Sequence, residues 1–487
     1  MINWVKKNIY GILFAGILIL GFYLRLKGFL SNPSLWHDES ALGWNILNKR
    51  YIELFDKLRF LQIAPPLFLI FTKIMVFITD GYSHVFRCDM VLRFLPFVFG
   101  NLSMIVFYFV CKKLFESKWS ILAGMAFIAM NPVLINYCFE FKPYSLDVFA
   151  SLVAILVFYS IDFNRNNLKQ IFLYGFILAI LPWFSFGCAF VIAAGFLALS
   201  FKKESPKLFI YLLSLPIISG FIYLNLFVSK SYSQNSNGML GFWHDYFVKS
   251  DFSNIYQLVI DNFNYFFSNV PHFSFFIAAI AIIVGFVIFI KKSEILFVQI
   301  TTLTFATLIF ASVLKYYPFS RRMIIFLIPI IILYLVKITD IKKWCLGALI
   351  LTFLLIPHFI FAYDFLTLPN LNKGDFSREM MFIMSKHIAN YDTVVISEGS
   401  NTDFFYYNNF FRLQNKIEFL KPDKTRQETN TKLLNNLRKG SYWIFASYDY
   451  SPQFVNNKEI KIWAKSNSEV EFEVSATQST LMRVIIH

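Results

Sequence analysis

Residues 35–46 read LWHDESALGWNI and follow the first long apolar run of the chain. Asp38 and Glu39 therefore form an acidic pair where the chain leaves a membrane. A carboxylate held there can take a proton from an attacking hydroxyl, and its neighbour can orient the acceptor or the base. A second cluster, YCFEFKPYSLDVF (137–149), holds Glu140, Lys142 and Tyr144. Pro143 ends one helix and opens the next, so these residues occupy a turn. Asp147 lies one helical turn after Tyr144, and a carboxylate at membrane depth is a candidate for function because its desolvation is costly. The third set is basic: Arg93 in VLRFLPF, and Arg321 and Arg322 in KYYPFSRRM. Guanidinium groups hold phosphate in a bidentate fashion, which suits a lipid phosphate at the bilayer surface.

Each set also has a plainer reading. Asp38 caps the following helix with Glu39 in its first turn, Glu140 and Lys142 form a surface pair with Asp147 bonded inside the bundle, and the arginines anchor to headgroups. His244 and Asp245 read as structural. The five cysteines show no metal-ligand spacing. Cys88 and Cys138 both fall on the outer side, where a disulfide is allowed.

The elements that must position these residues are mostly membrane spans. The chain of 487 residues is 57% hydrophobic and 15% charged, with 61 phenylalanines. Soluble domains carry about 25% charged residues, so this balance predicts a membrane protein. The net charge of +15 does not point to nucleic acid: from residue 373 onward there are 15 basic and 13 acidic residues, and the remaining excess sits in short clusters between apolar runs. Such clusters are orientation signals and headgroup contacts. Lys6 and Lys7 precede an apolar run with no cleavage site, which predicts a retained anchor with a cytoplasmic N-terminus.

Apolar runs near 9–27, 91–111, 119–137, 144–161, 169–184, 185–201, 206–228, 273–290, 294–313, 321–338 and 344–362 approach the ~20 residues of a spanning helix. The segment from Pro66 to Thr79 is shorter and carries Lys73. If it re-enters or lies in the interface, Lys112, Lys113, Lys118, Arg165, Lys169, Lys202, Lys203, Lys207, Lys291, Lys292, Lys342 and Lys343 all face the cytoplasm, as positive-inside demands. The expectation is an α-helical polytopic protein of about eleven spans, residues 1–372, with the acid pair outside. From Asp38 to Leu58 the apolar spacing predicts an amphipathic helix along the membrane surface. Residues 373–487 read as a small soluble extracytoplasmic α/β domain, with strands at 392–397, 441–447 and 480–487 and a helix at 425–440.

In order and spacing, these motifs resemble the GT-C superfamily of membrane glycosyltransferases, in its protein-mannosyltransferase-like and aminoarabinose-transferase-like branch. The match runs over roughly residues 1–365. It consists of the acid pair of LWHDES, Pro65-Pro66-Leu67 in the same loop, Arg93 and Pro96 opening the next span, Glu140, Lys142, Pro143 and Tyr144 in the second outer loop, and Tyr317, Pro318 and Arg321 or Arg322 before a late span. Lys142 stands where arginine is usual, and the C-terminal domain matches nothing assignable.

The resemblance implies a hexosyl- or pentosyltransferase of the inner (cytoplasmic) membrane. It would move a sugar from a polyprenyl-phosphate donor to a lipid, glycan or protein acceptor on the extracytoplasmic side. Asp38 would be the base, Glu39 its orienting partner, and Arg93, Glu140, Lys142, Tyr144, Arg321 and Arg322 the donor site. A divalent cation between Asp38 and Glu140 is conceivable. The alternative readings are a polysaccharide polymerase or ligase and a lipid-linked-sugar transporter.

Overall fold

The computed structural model describes residues 2–201, 206–228, 240–267, 272–292, 294–340, 344–368, 376–420, 434–447, 457–476 and 479–487. Helices dominate it, and a five-stranded sheet occupies the C-terminal part. Among the described residues six helices are long and apolar enough to cross a membrane: Asn8–Ser31, Val85–Leu114, Pro206–Val228, Ile295–Val313, Arg321–Asp340 and Gly347–Thr367. A bent pair, Lys118–Met130 with Pro132–Phe139, makes a seventh if it is one span. The chain is a multi-pass membrane protein. The other expected spans are shorter apolar helices among the described residues: Tyr144–Ser160, Leu168–Trp183, Cys188–Ser200 and Phe275–Lys291, the last being part of the helix His272–Lys291. Pro66–Ile78, expected to re-enter or lie in the interface, is likewise short of a full crossing at ~1.5 Å per residue.

The bend of 51° in the pair aims the chain at the second candidate cluster. Pro132 cannot donate to the helix before it, so carbonyls of the first half lose their partners. Arg25 replaces them from the first helix, donating to the carbonyls of Ala129 at 2.8 Å and Ile128 at 2.9 Å. Asn131 starts the second half: its Oδ1 accepts from the Leu134 amide at 3.0 Å. Irregular backbone inside a membrane protein persists only with such compensation. The turn Tyr137–Phe139 then packs between the first helix and Phe94–Leu114, where Gly100 leaves room for the Cys138 side chain. Cys88 and Cys138 are both free and buried, so the disulfide that the sequence allowed is absent.

The C-terminal sheet has the order β2-β1-β3-β5-β4, with β1 Thr393–Ser397, β2 Ile417–Leu420, β3 Gly440–Ser447, β4 Glu469–Ser475 and β5 Ser479–Ile486. β1 pairs in parallel with β2 and β3, and β5 runs antiparallel to β3 and β4. The three strands expected from sequence are present. The helix expected at 425–440 lies largely outside the described residues, which resume at 434.

The predicted amphipathic helix is shorter and differently placed. It runs His37–Asn48, with a separate turn at Ile52–Phe55. Leu42, Ile46, Leu54 and Leu58 are buried in one cluster with Met380, Tyr406, Tyr407 and Trp443. Its apolar face is thus covered by the C-terminal part of the chain and not by lipid. Contact is close: a Cβ on Gly43 would lie 2.8 Å from the Tyr406 ring.

Candidate functional site

The acid pair splits at the start of His37–Asn48. Successive helical residues point about 100° apart, so Asp38 and Glu39 face different surroundings. Their side chains are 20% and 2% exposed, respectively.

Glu39 is a structural junction. Its Oε2 accepts from the Trp36 amide at 3.3 Å, so Glu39, not Asp38, closes the helix start. The residue before the helix is Trp36, which places Asp38 inside the first turn, facing away from the orphan amides. The same carboxylate receives Arg93 in a forked pair, Nε at 2.9 Å and Nη2 at 2.6 Å, and the Phe141 amide at 2.5 Å. It therefore joins the loop after the first helix, the start of the helix Phe94–Leu114 and the turn that follows Tyr137–Phe139. Arg93 gives its other N–H groups to the carbonyls of Pro33 (2.5 Å) and Ser34 (3.2 Å) and to Asn32 Oδ1 (3.4 Å). Buried and fully engaged, it has no donor to spare for a phosphate. Its task is to fix Glu39.

Asp38 opens onto a partly exposed space. Arg322 Nη1 donates to its Oδ2 at 2.7 Å, and the guanidinium sits 5.3 Å from the Trp243 ring centre and 5.8 Å from that of Trp36. Burial works against the charge of Asp38. The cations of Lys142 and Arg322, with a contribution from His37, outweigh burial and hold its carboxyl well below the usual carboxylate range. Burial pushes the Lys142 ammonium down from its ordinary value, with Asp38 opposing the shift. Lys142 Nζ donates to Gln62 Oε1 at 2.8 Å. Gln62 follows Phe60 and Leu61, both with positive φ (60° and 52°), a strained arrangement for two non-glycine residues in succession.

Glu140 is buried on the same turn and within electrostatic reach of Lys142 and Arg322. Tyr144 is buried, its ring edge-on to Tyr137 at 4.9 Å, and Tyr137 shares a hydrogen bond of 2.7 Å with Tyr265. Arg321 is exposed, its guanidinium 5.9 Å from the Tyr265 ring centre. Thus Asp38, Glu140, Lys142, Tyr144 and Arg322 converge, Arg321 borders them, and Glu39 and Arg93 stand behind. Asp147 is bound within the bundle, accepting from Ser185 Oγ at 2.6 Å and the Gly187 amide at 3.3 Å. His244 and Asp245 pair with each other in the open at 3.0 Å.

Gln62 and Trp243 were not singled out by sequence. Gln62 lies three residues before the Pro65-Pro66-Leu67 element, and Trp243 stands next to the His244–Asp245 pair, but neither cue names a partner. Among the described residues no three His, Cys, Asp or Glu side chains gather to hold a metal ion. The strong charges beside Asp38 and Glu140 are cations, Lys142 and Arg322. Asp38 and Glu140 are the two carboxylates of this cluster that could face the divalent ion conceived from sequence.

No protein-family model matches the sequence, and no curated protein matches it significantly. The chain is similar in structure to the oligosaccharyltransferase of Archaeoglobus fulgidus. Against that protein in complex with Zn and sulfate, identity is 12% and the TM-score 0.48, over 96% of this chain and 72% of the other. Against its apo form the values are 12% and 0.49, over 91% and 70%. Against its complex with an inhibitory peptide and a dolichol-phosphate they are 14% and 0.46, over 88% of this chain and 62% of the other. At these identities no residue-level correspondence is established.

Proposed function

We propose that the chain transfers a sugar from a polyprenyl-phosphate donor to an acceptor hydroxyl or amide on the extracytoplasmic face of the membrane, with Asp38 as the base. The observation that carries this reading is the partly exposed Asp38–Arg322 pair beside Lys142, set over a bundle of apolar helices. One acidic group and two cations match what the reaction needs. The acceptor's oxygen or nitrogen attacks the anomeric carbon and its proton goes to Asp38 Oδ, while the bond from that carbon to the phosphate oxygen breaks. The leaving group is a lipid phosphate, whose growing charge Lys142, Arg322 and the exposed Arg321 stabilise. A single displacement with one base inverts the anomeric configuration.

Before the donor arrives, Asp38 is a weak base because Arg322 and Lys142 hold its proton affinity low. An incoming phosphate competes for both cations, which raises the affinity of Asp38 for a proton as the donor seats. In this reading basicity follows donor binding. Glu39 and Arg93 serve by fixing the helix start, and Tyr144 and Glu140 line the donor side.

An apolar cavity of about 410 Å³ supports a lipid-linked donor. It is lined by residues including Phe263, Phe266, Phe275, Ile282, Ile324 and Tyr334. Ile324 belongs to the same turn as Arg321 and Arg322, Arg321–Leu327, so one short segment borders both the polar site and the cavity. The reading seats the lipid tail there. Its test is transfer from labelled polyprenyl-phosphate sugars by purified protein, wild type against Asp38→Asn. A variant as fast as wild type would remove Asp38 from the chemistry.

A further inference from the structure

The segment that carries Asp38 is held mainly by the C-terminal part of the chain. Along His37–Asn48, positions 37, 40 and 43 share one face. All three meet the helix Asn401–Phe411 or the turn before it. His37 Nδ1 lies 2.9 Å from the Gly399 carbonyl and 2.8 Å from Thr402 Oγ1. Ser40 donates its hydroxyl to Asp403 Oδ1, and Gly43 lies against Tyr406. Just upstream, the Leu35 amide donates to the Tyr407 hydroxyl at 2.7 Å. Ser34 bonds the Glu379 carboxylate and accepts from the Arg378 amide at 3.2 Å. Asp38 and Glu39 are the residues of this stretch that turn away, toward Arg322 and Arg93.

Two buried carboxylates organise the contact. Asp403 is fully buried and also accepts from Ser447 Oγ at 2.6 Å and Ser377 Oγ at 3.3 Å, tying Ser40 to strand β3 and to the helix Ser377–His387. Asp89, in the helix Val85–Leu92, accepts from Tyr406 at 2.8 Å, Tyr407 at 3.3 Å and Arg378 Nη1 at 2.8 Å. Arg378 Nη2 continues to the Asn32 carbonyl at 2.9 Å. A domain merely tethered by a linker leaves a polar, wet interface. This one buries Asp89, Asp403, Ser40, Ser377 and Arg378, and its hydrogen bonds converge on residues 32–40.

We propose that the C-terminal sheet domain is a positioning half of the active site, with Asp403 and Tyr407 acting through Ser40 and Leu35 to present Asp38 to Arg322. The proposal rests on the transferase reading and assigns the domain a role in it. Asp403 and Tyr407 touch no reacting atom. They set the angle at which the base meets the donor.

The test uses full-length protein in nanodiscs. Ser40→Ala removes the bond to Asp403, and Tyr407→Phe removes both the acceptor of the Leu35 amide and a donor to Asp89. Asp403→Asn keeps an acceptor for Ser40. Two quantities are measured: hydrogen exchange of the amides of 35–46, and the kcat and donor KM of sugar transfer. The double variant Ser40→Ala/Tyr407→Phe is expected to speed exchange over 35–46 about 10-fold, as loss of a neutral hydrogen bond does. Exchange in β1 and β3 stays as in wild type, kcat falls about 10-fold, and donor KM stays within about twofold. Asp403→Asn is expected to keep most of the wild-type kcat, which loss of fold would not allow. Unchanged exchange over 35–46 overturns the proposal, and so does faster exchange with an unchanged kcat. If wild type transfers no sugar while the variant still loosens 35–46, the link stands and the transferase reading falls.

Discussion

Replacing Glu39 by Gln separates a clamp from a catalytic acid. Glu39 and Arg93 are each 2% exposed at the side chain and bonded at 2.6 and 2.9 Å. Removing one charge of such a pair strands the other in a dry site, which costs about 3–5 kcal/mol. Arg93 keeps the carbonyls of Pro33 and Ser34, so the expected loss lies near the lower end, roughly 3 kcal/mol. A domain of this size loses roughly 2–3 °C per kcal/mol, which gives a fall of about 5–10 °C in apparent Tm. The assay is thermal unfolding in detergent, followed by tryptophan fluorescence. The double variant Glu39→Gln/Arg93→Met, which leaves no stranded charge, should recover at least half of the fall. If Glu39→Gln unfolds within 1 °C of wild type yet loses transfer, Glu39 acts in the chemistry and the clamp is wrong.

Three further outcomes follow from particular contacts. Asp38 is held below the unfolded carboxylate value of ~3.9, so the stability it contributes is present above that pH and is lost progressively as pH falls below it toward the folded value. Melting curves between pH 3 and 7 should show this acid-side loss in wild type and less of it in Asp38→Asn. Burial pushes Asp403 up to about 6, with its serine hydroxyls opposing, so between about pH 4 and 6 the folded state binds more protons and this group's contribution falls as pH rises. Asp403→Asn should therefore raise the apparent Tm at pH 7 more than at pH 4, and equal shifts at both would contradict the burial of that charge. A side chain at Gly43 would meet Tyr406 at 2.8 Å and Leu92 at 3.2 Å. Gly43→Val should cost about 1–3 kcal/mol by overpacking and expose the segment 35–46 to limited proteolysis, whereas a protease pattern like that of wild type would refute the docking.

The membrane helices were legible because long apolar runs have few other uses. Their number was less so, since Tyr144–Ser160 and Cys188–Ser200 are apolar enough for lipid but shorter than a regular crossing. The acid pair was visible as chemistry, yet the division between Asp38 and Glu39 was not. Adjacent acids look alike in sequence, and only the 100° step of the helix sends one to Arg322 and the other to Arg93. The apolar face of Leu42, Ile46 and Leu54 was seen correctly, but periodicity does not distinguish lipid from protein as the cover. β4, EVEFEVS, was missed because its exposed glutamates alternate with half-buried residues at an edge and leave no apolar run. Asp89 and Asp403 gave no signal at all, since their partners lie 289 and 363 residues away.

Transfer of labelled sugar from a polyprenyl-phosphate donor, with the anomeric configuration of the product read by NMR, tests the central claim most directly. Wild type should give an inverted product, and Asp38→Asn should slow transfer by 10²-fold or more, on the order of the contribution of a general base. A retained configuration, or an Asp38→Asn variant as fast as wild type, would contradict a single displacement driven by Asp38.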